Sequence, residues 1–225
     1  MTLGSKEIIM VENYPQSDLA YKGIDSYGEE ALKIIDENPF EPFIDMLARK
    51  KQMWGSKQVD QMSYRKDSLS NSLTYLLPQI EERALEMFDL LLKCEGLKHT
   101  EHPYYYHSAE LINFVLKEPS DELKEELFMQ IIKQQSSGKV IYLKLMALAC
   151  CFIKPSLRMY APLLNYFKSK YHSHQLYKEY YSFSFFNLIK RKRRGYSRFR
   201  YTEAAWLYHL RSAFVDAHAQ DPYPV

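Results

Sequence analysis

The chain has 225 residues, 46% hydrophobic and 26% charged, which allows a sizeable core in one large domain or two small ones and excludes a disordered chain. Only 7 glycines stand against 19 tyrosines and 12 phenylalanines, which disfavours a turn-rich sheet protein and favours a thick aromatic interior. A net charge of +2 conceals +13 over residues 139–212, where 15 Lys/Arg meet only Glu179 and Glu203, against −9 over residues 1–138; such separation points to partners.

Residues 1–26 mix Gly, Pro, Ser and acids without periodicity and are expected to be an extended or poorly ordered lead-in. From Tyr27 the signals turn helical. Ala31, Leu32, Ile34 and Ile35 fit a short helix ending before Pro39, and Phe40, Phe43, Ile44 and Leu47 recur at the spacing of one helical face. A polar stretch, Arg49 to Lys66, holds Trp54 and Gly55. Ser70, Asn71 or Ser72 can cap the next segment, in which Leu73, Leu76 and Leu77 are apolar. Pro78 suits a first helical turn, where its missing N–H has no partner to lose, and Ile80, Ala84, Leu85, Phe88, Leu91 and Leu92 continue that helix to a stop at Gly96.

A loop over Leu97–His107, containing Pro103, leads to Leu111, Ile112, Val115 and Leu116. Pro119 breaks the chain, Ser120 or Asp121 caps the next helix, and Ser136-Ser137-Gly138 ends it. Val140 to Phe152 is nearly all apolar and reads as a central helix packed on most sides. Pro155-Ser156 precedes another helix, with Leu157, Tyr160, Leu163, Leu164 and Phe167; Tyr177–Ile189 and Glu203–Phe214 complete the series. No run alternates β-branched residues and no period repeats. The expected fold is all-α: a single compact multi-helix bundle of about nine or ten helices over residues 27–217, with 218–225 as a tail.

The chemistry of catalysis is missing. No Gly-rich phosphate loop and no Gly-x-Ser-x-Gly elbow occurs, and nothing assembles a nucleophile, base and oxyanion site, so neither an enzyme nor a small-molecule substrate is expected. Cys94, His99, His102 and His107 match no familiar zinc spacing and read as surface histidines beside a thiol; no metal or cofactor is expected. Cys150 and Cys151 read as small buried hydrophobes. Three cysteines suggest no disulfide framework and a reducing, cytoplasmic home. The N-terminus has no signal-peptide core, and the apolar window Val140–Ile153 is too short to span a membrane and contains Lys144. Glu81-Glu82 and Glu125-Glu126 lie near helix starts, where carboxylates complement the positive end of the dipole.

Two features remain as interaction candidates. The run Lys190, Arg191, Lys192, Arg193, Arg194, followed by Arg198 and Arg200, is the most charged passage; it is expected to line a loop pinned by Tyr196, Phe199 and Tyr201, with Lys168 and Lys170 adding to the same basic surface. Those aromatics could stack on bases, but no nucleic-acid fold is visible, and the run as a nuclear signal is compositional only. Trp54, Tyr104, Tyr105 and Tyr106 are residue types that anchor interfaces and would edge a peptide groove between helices.

The passage from Ser120 to Phe167, "SDELKEELFMQIIKQQSSGKVIYLKLMALACCFIKPSLRMYAPLLNYF", resembles the core of the myosin tail homology 4 domain: an acidic helix ending in a Gln-Ile-Ile-Lys-Gln segment (Gln130–Gln134), a hydrophobic helix, a Pro-Ser break and a further apolar helix. Ser63–Gly96 is similar to that family's opening basic-polar stretch and its Ala-Leu-x-Phe helix, and Tyr180–Glu203 to its closing basic segment. Ser68-Leu69 stands where the family has Pro-Leu, and Tyr201-Thr202 where it has Pro-Ser. The resemblance covers roughly residues 35–215 and implies an all-α, non-catalytic domain of motor tails, plant kinesins and some Rho GTPase-activating proteins. Such domains bind microtubules or cargo peptides, often beside a FERM domain. About ten residues come after the last expected helix, so no FERM module is expected within this sequence. Microtubules, through acidic tubulin tails, are the first expected partner, and a cargo protein the second.

Overall fold

The computed structural model describes residues 24–26, 29–47, 62–102, 104–118 and 120–194. Among these residues the secondary structure is helical: α1 (Glu29–Asp36), α2 (Phe40–Leu47), α3 (Pro78–Glu95), α4 (Tyr104–Lys117), α5 (Asp121–Gln135), α6 (Val140–Phe152), α7 (Leu157–Ser173) and α8 (Lys178–Arg194), with 3-10 turns at Ile24–Ser26 and Gln175–Tyr177. The expected helix from Glu203 to Phe214 lies outside the described residues.

Local chemistry sets the helix ends. Pro78 occupies the first turn of α3, and Gly96 closes it at φ 79°, the left-handed conformation that a side chain resists. Ser120 Oγ accepts the Leu123 N–H at the start of α5, and Ser156 Oγ accepts the Met159 N–H at the start of α7. The bundle forms around α5 and α6. α3 pairs with α4 and lies against α5; α6 packs on α5 and α8; α7 packs on α8 and receives α1 and α2. Glu125 through Gln134 of α5 and Tyr142 through Phe152 of α6 are all buried, so both helices are surrounded.

A helix surrounded on all sides has nowhere to put polar residues except inside, and α5 puts them on one stripe. Glu126, Gln130, Lys133 and Gln134 fall at i, i+4, i+7 and i+8, and all four are buried. They bond to a neighbouring segment, residues 63–74, that lies outside the helices. Glu126 accepts the N–H groups of Leu73 and Thr74, each at 2.8 Å, and the Thr74 hydroxyl at 2.6 Å. Gln130 Nε2 donates to Glu126 and to the Ala84 carbonyl of α3, each at 2.9 Å. Lys133 Nζ donates to the Ser63 carbonyl. Gln134 accepts the Arg65 N–H at 3.0 Å and donates to the Arg65 carbonyl at 2.8 Å, so its amide behaves as a strand partner would.

Three expectations change here. Glu125 and Glu126 do not serve the helix dipole from an exposed first turn. They sit a turn further in, because the apolar residues around them leave only interior angles. Burial pushes the Glu126 carboxyl up, and the donors from Thr74, Leu73 and Gln130 pull against it. Glu125 accepts Ser156 and both Nε and Nη2 of Arg158, at 2.7 and 2.6 Å, fastening the start of α7. Second, α4 begins at Tyr104, inside the expected Leu97–His107 loop. Third, Ile24, assigned to the lead-in, is fully buried, and its turn packs on α8.

Replacing Glu126 by Gln puts an amide donor where four donors already converge. We expect Glu126→Gln to lower unfolding stability by about 2–4 kcal/mol, and Glu122→Gln, in the exposed first turn, by under about 1 kcal/mol. Urea unfolding followed by circular dichroism measures both; equal effects would contradict the buried role.

Candidate functional site

The basic run begins on a helix. Tyr180, Tyr181, Phe183, Phe185 and Leu188 bury one side of α8 against α6 and α7. The apolar spacing ends this helix at Ile189, but its backbone continues helical through Arg194, so Lys190, Arg191, Lys192, Arg193 and Arg194 form its last turns and not a loop. Lys and Arg are good helix formers, and cations are favoured at the negative C-terminal end. Arg198, Arg200 and the aromatics expected to pin them lie outside the described residues.

Part of the C-terminal charge excess is used within the domain. Lys168 Nζ reaches both carboxylate oxygens of Asp36 at 2.7 Å, tying α7 to α1. Arg158 pairs with Glu125, and Lys139 with Glu95. Lys170 differs: its ammonium lies 5.7 Å from the centroid of the Tyr166 ring. The structure therefore separates Lys168 from Lys170, which the sequence grouped together.

Glu95 is the centre of a second polar cluster. Its side chain is 4% exposed; it accepts the Tyr64 hydroxyl at 2.5 Å and is also bonded by Lys139 Nζ and the Tyr142 hydroxyl. Burial alone would raise the Glu95 carboxyl, but the hydrogen bonds from Lys139, Tyr142 and Tyr64 together hold it below its ordinary value. Burial and Glu95 push the Tyr142 phenol up, and Glu95 raises Lys139.

The aromatic candidates are dispersed. Tyr104 and Tyr106 lie on the first turn of α4, 37% and 48% exposed, and Tyr105 is on the same turn. Tyr106 stacks on His102 with centroids 4.2 Å apart. Trp54 is outside the described residues. His107 is not a surface histidine: it is 3% exposed, with one ring nitrogen 2.5 Å from Thr100 Oγ1 and the other 3.0 Å from Glu110. Burial lifts the Cys94 thiol to about 12. Among the described residues no group of three or more His, Cys, Asp or Glu is placed to hold a metal. No helix there is long and apolar enough to cross a membrane.

What the sequence did not show is a cleft of about 370 Å³ where α2, α5, α6, α7 and α8 meet. Phe40, Ile44, Met62 and Leu143 give it an apolar floor, with Tyr166 and Tyr181 beside them. Lys139, Lys170, His174 and Glu41 stand in its walls. Residues from 40 to 181 contribute, so no local motif could signal it.

Residues 110–204 match the MyTH4 domain family. Over those residues the chain is similar to a MyTH4 domain. The MyTH4-FERM MF1 domain of Dictyostelium discoideum myosin VII superposes with a TM-score of 0.60 at 17% identity, over 77% of this chain and 36% of that one. A mutant of the same MF1 domain gives 0.61 at 18%, over 76% and 36%, and a mutant of the MF2 domain 0.58 at 15%, over 67% and 32%. At these identities the likeness is one of fold, and this chain spans about a third of the length of the solved chains. No curated protein matches the chain. MyTH4 domains are non-catalytic, cytoskeleton-associated modules of myosin tails. The polar stripe of α5 and the start of α7 both fall within the matched span, so the Gln-Ile-Ile-Lys-Gln segment there has a structural use.

Because the folded-state pKa of Glu95 lies below its unfolded value, its stabilisation is present at neutral pH and lost as pH falls through the folded pKa. The gap in urea midpoint between the wild type and Glu95→Gln should therefore narrow between about pH 5 and about pH 2. A gap that stays constant over that range would contradict the assignment.

Proposed function

We propose that this MyTH4 domain, over residues 27–217, is a non-catalytic cytoskeletal interaction module that binds microtubules through a basic surface at the end of α8. Five consecutive cations, Lys190 to Arg194, carry this reading. They complete a helix whose base is locked into the core at Tyr180, Phe185 and Leu188, so the run is presented from a fixed support. Arg198, Arg200 and Lys170 would extend the surface, with Lys168 contributing less because Asp36 neutralises it. The acidic tails of tubulin are the complementary partner, in a cytoplasmic, cytoskeleton-associated setting. Such contacts act within a Debye length, about 8 Å at physiological salt, so they weaken as salt rises.

Cosedimentation with microtubules tests this. We expect pelleting at about 50 mM salt that falls steeply by about 200 mM, and an affinity at least about tenfold lower for Lys190–Arg194→Ala. Binding that ignores salt, or that survives the five substitutions, would sink the proposal.

A second reading, an adaptor that captures a cargo or signalling peptide between helices, is favoured by one observation: the cleft between α2, α5, α6, α7 and α8, with its apolar floor and charged walls.

A further inference from the structure

We infer that this cleft is a docking site for a short protein segment that inserts a bulky apolar side chain and places a carboxylate beside it. The inference rests on the adaptor reading and deepens it by naming the site and the chemistry of its occupant. About 370 Å³ lies near the lower end for ligand cavities, room for one or two side chains and too little for a cofactor.

The floor selects an apolar group. Phe40, Leu143, Tyr166 and Tyr181 are buried core residues that line the cleft, and Ile44 and Met62, partly buried, line it with them. The deep polar groups already have partners: the Tyr166 hydroxyl donates to Gln135 Oε1 at 2.6 Å, and Gln135 Nε2 donates to the Tyr142 carbonyl at 3.2 Å. They therefore ask nothing of an occupant.

The walls select its charge. Lys139, Lys170 and His174 stand against a single acid, Glu41. Lys139 is 45% exposed and gives Glu95 and Tyr64 two of its three ammonium protons, leaving one for an incoming acceptor. Lys170 has no carboxylate partner among the described residues; its ammonium is held over Tyr166 at the cleft. A carboxylate next to an inserted apolar side chain meets these two cations. A segment with cations in that place meets them head-on. The site is separate from the end of α8, where microtubule contact is proposed.

The probe is a fluorescein-labelled peptide of about twelve residues with Phe and Leu followed by a run of Glu. Two companions replace Glu by Lys, or Phe and Leu by Ser. Anisotropy with the full chain should give a dissociation constant in the range of about 10–100 µM for the first peptide and at least about tenfold weaker binding for the others. Lys170→Glu should weaken the first peptide at least about fivefold while its thermal melt stays that of the wild type. NMR shifts on titration should centre on Ile44, Met62 and Leu143. If no peptide binds, the adaptor reading and this site both fall. If the first peptide binds with shifts elsewhere, or if Lys170→Glu leaves it unchanged, the site alone is overturned. Equal binding of the Ser peptide would also overturn it, since charge would then suffice.

Discussion

The stripe of Glu126, Gln130, Lys133 and Gln134 on α5 supports most of the structure. The segment from Ser63 to Thr74 lies outside the helices, and its backbone groups turn to the side chains of α5. Side chains do the work of a strand: Gln134 both accepts from and donates to Arg65, and Glu126 takes two successive N–H groups at Leu73 and Thr74. An unsatisfied buried N–H costs about 1–3 kcal/mol, so loss of Glu126 would expose several such costs at once. Gln130 links that carboxylate to the Ala84 carbonyl, joining α3, α5 and the segment that precedes α3. Glu125, one residue earlier, extends the same logic to the first turn of α7 through Ser156 and Arg158.

Charge is divided between two uses. The acidic first part and basic last part of the chain meet at Glu95–Lys139, Glu125–Arg158 and Asp36–Lys168, so some of the separation seen in the sequence is complementarity within the domain. Arg158 and Lys139 are about half exposed, yet both carboxylate partners are buried, which makes these pairs more than surface decoration. Lys170 stands apart from these three pairs, its ammonium lying over the Tyr166 ring. The charge left for partners is therefore smaller than the +13 count suggests.

Helices whose start or stop rests on local chemistry were legible. Pro78 and Gly96 bracket α3, Ser120 opens α5 and Ser156 opens α7, as those residue types predict. The resemblance to myosin tail homology 4 also stood. Ser70, Asn71 and Ser72 cap no helix, since α3 starts only at Pro78 behind Leu77, and two other boundaries slipped because apolar periodicity marks where a helix is buried and says little of where it extends. α4 starts with the tyrosines at 104, before its first core residues, and α8 runs past Ile189 on Lys and Arg. The buried carboxylates were misplaced because charge is normally a solvent-facing sign. A usable hint was present, since Leu127, Phe128 and Met129 follow Glu125-Glu126 around every side of the helix, leaving no outer face. The cleft was beyond reach, because five elements distant in sequence build it.

Amide hydrogen exchange at Leu73 and Thr74 tests the central claim most directly. If α5 acts as the partner of this segment, both amides should exchange only through unfolding of the bundle, slowed at least about a thousandfold relative to an unstructured peptide. Exchange at the rate of such a peptide would show that the Glu126 carboxylate does not hold them, and that the polar stripe of α5 does not organise this domain.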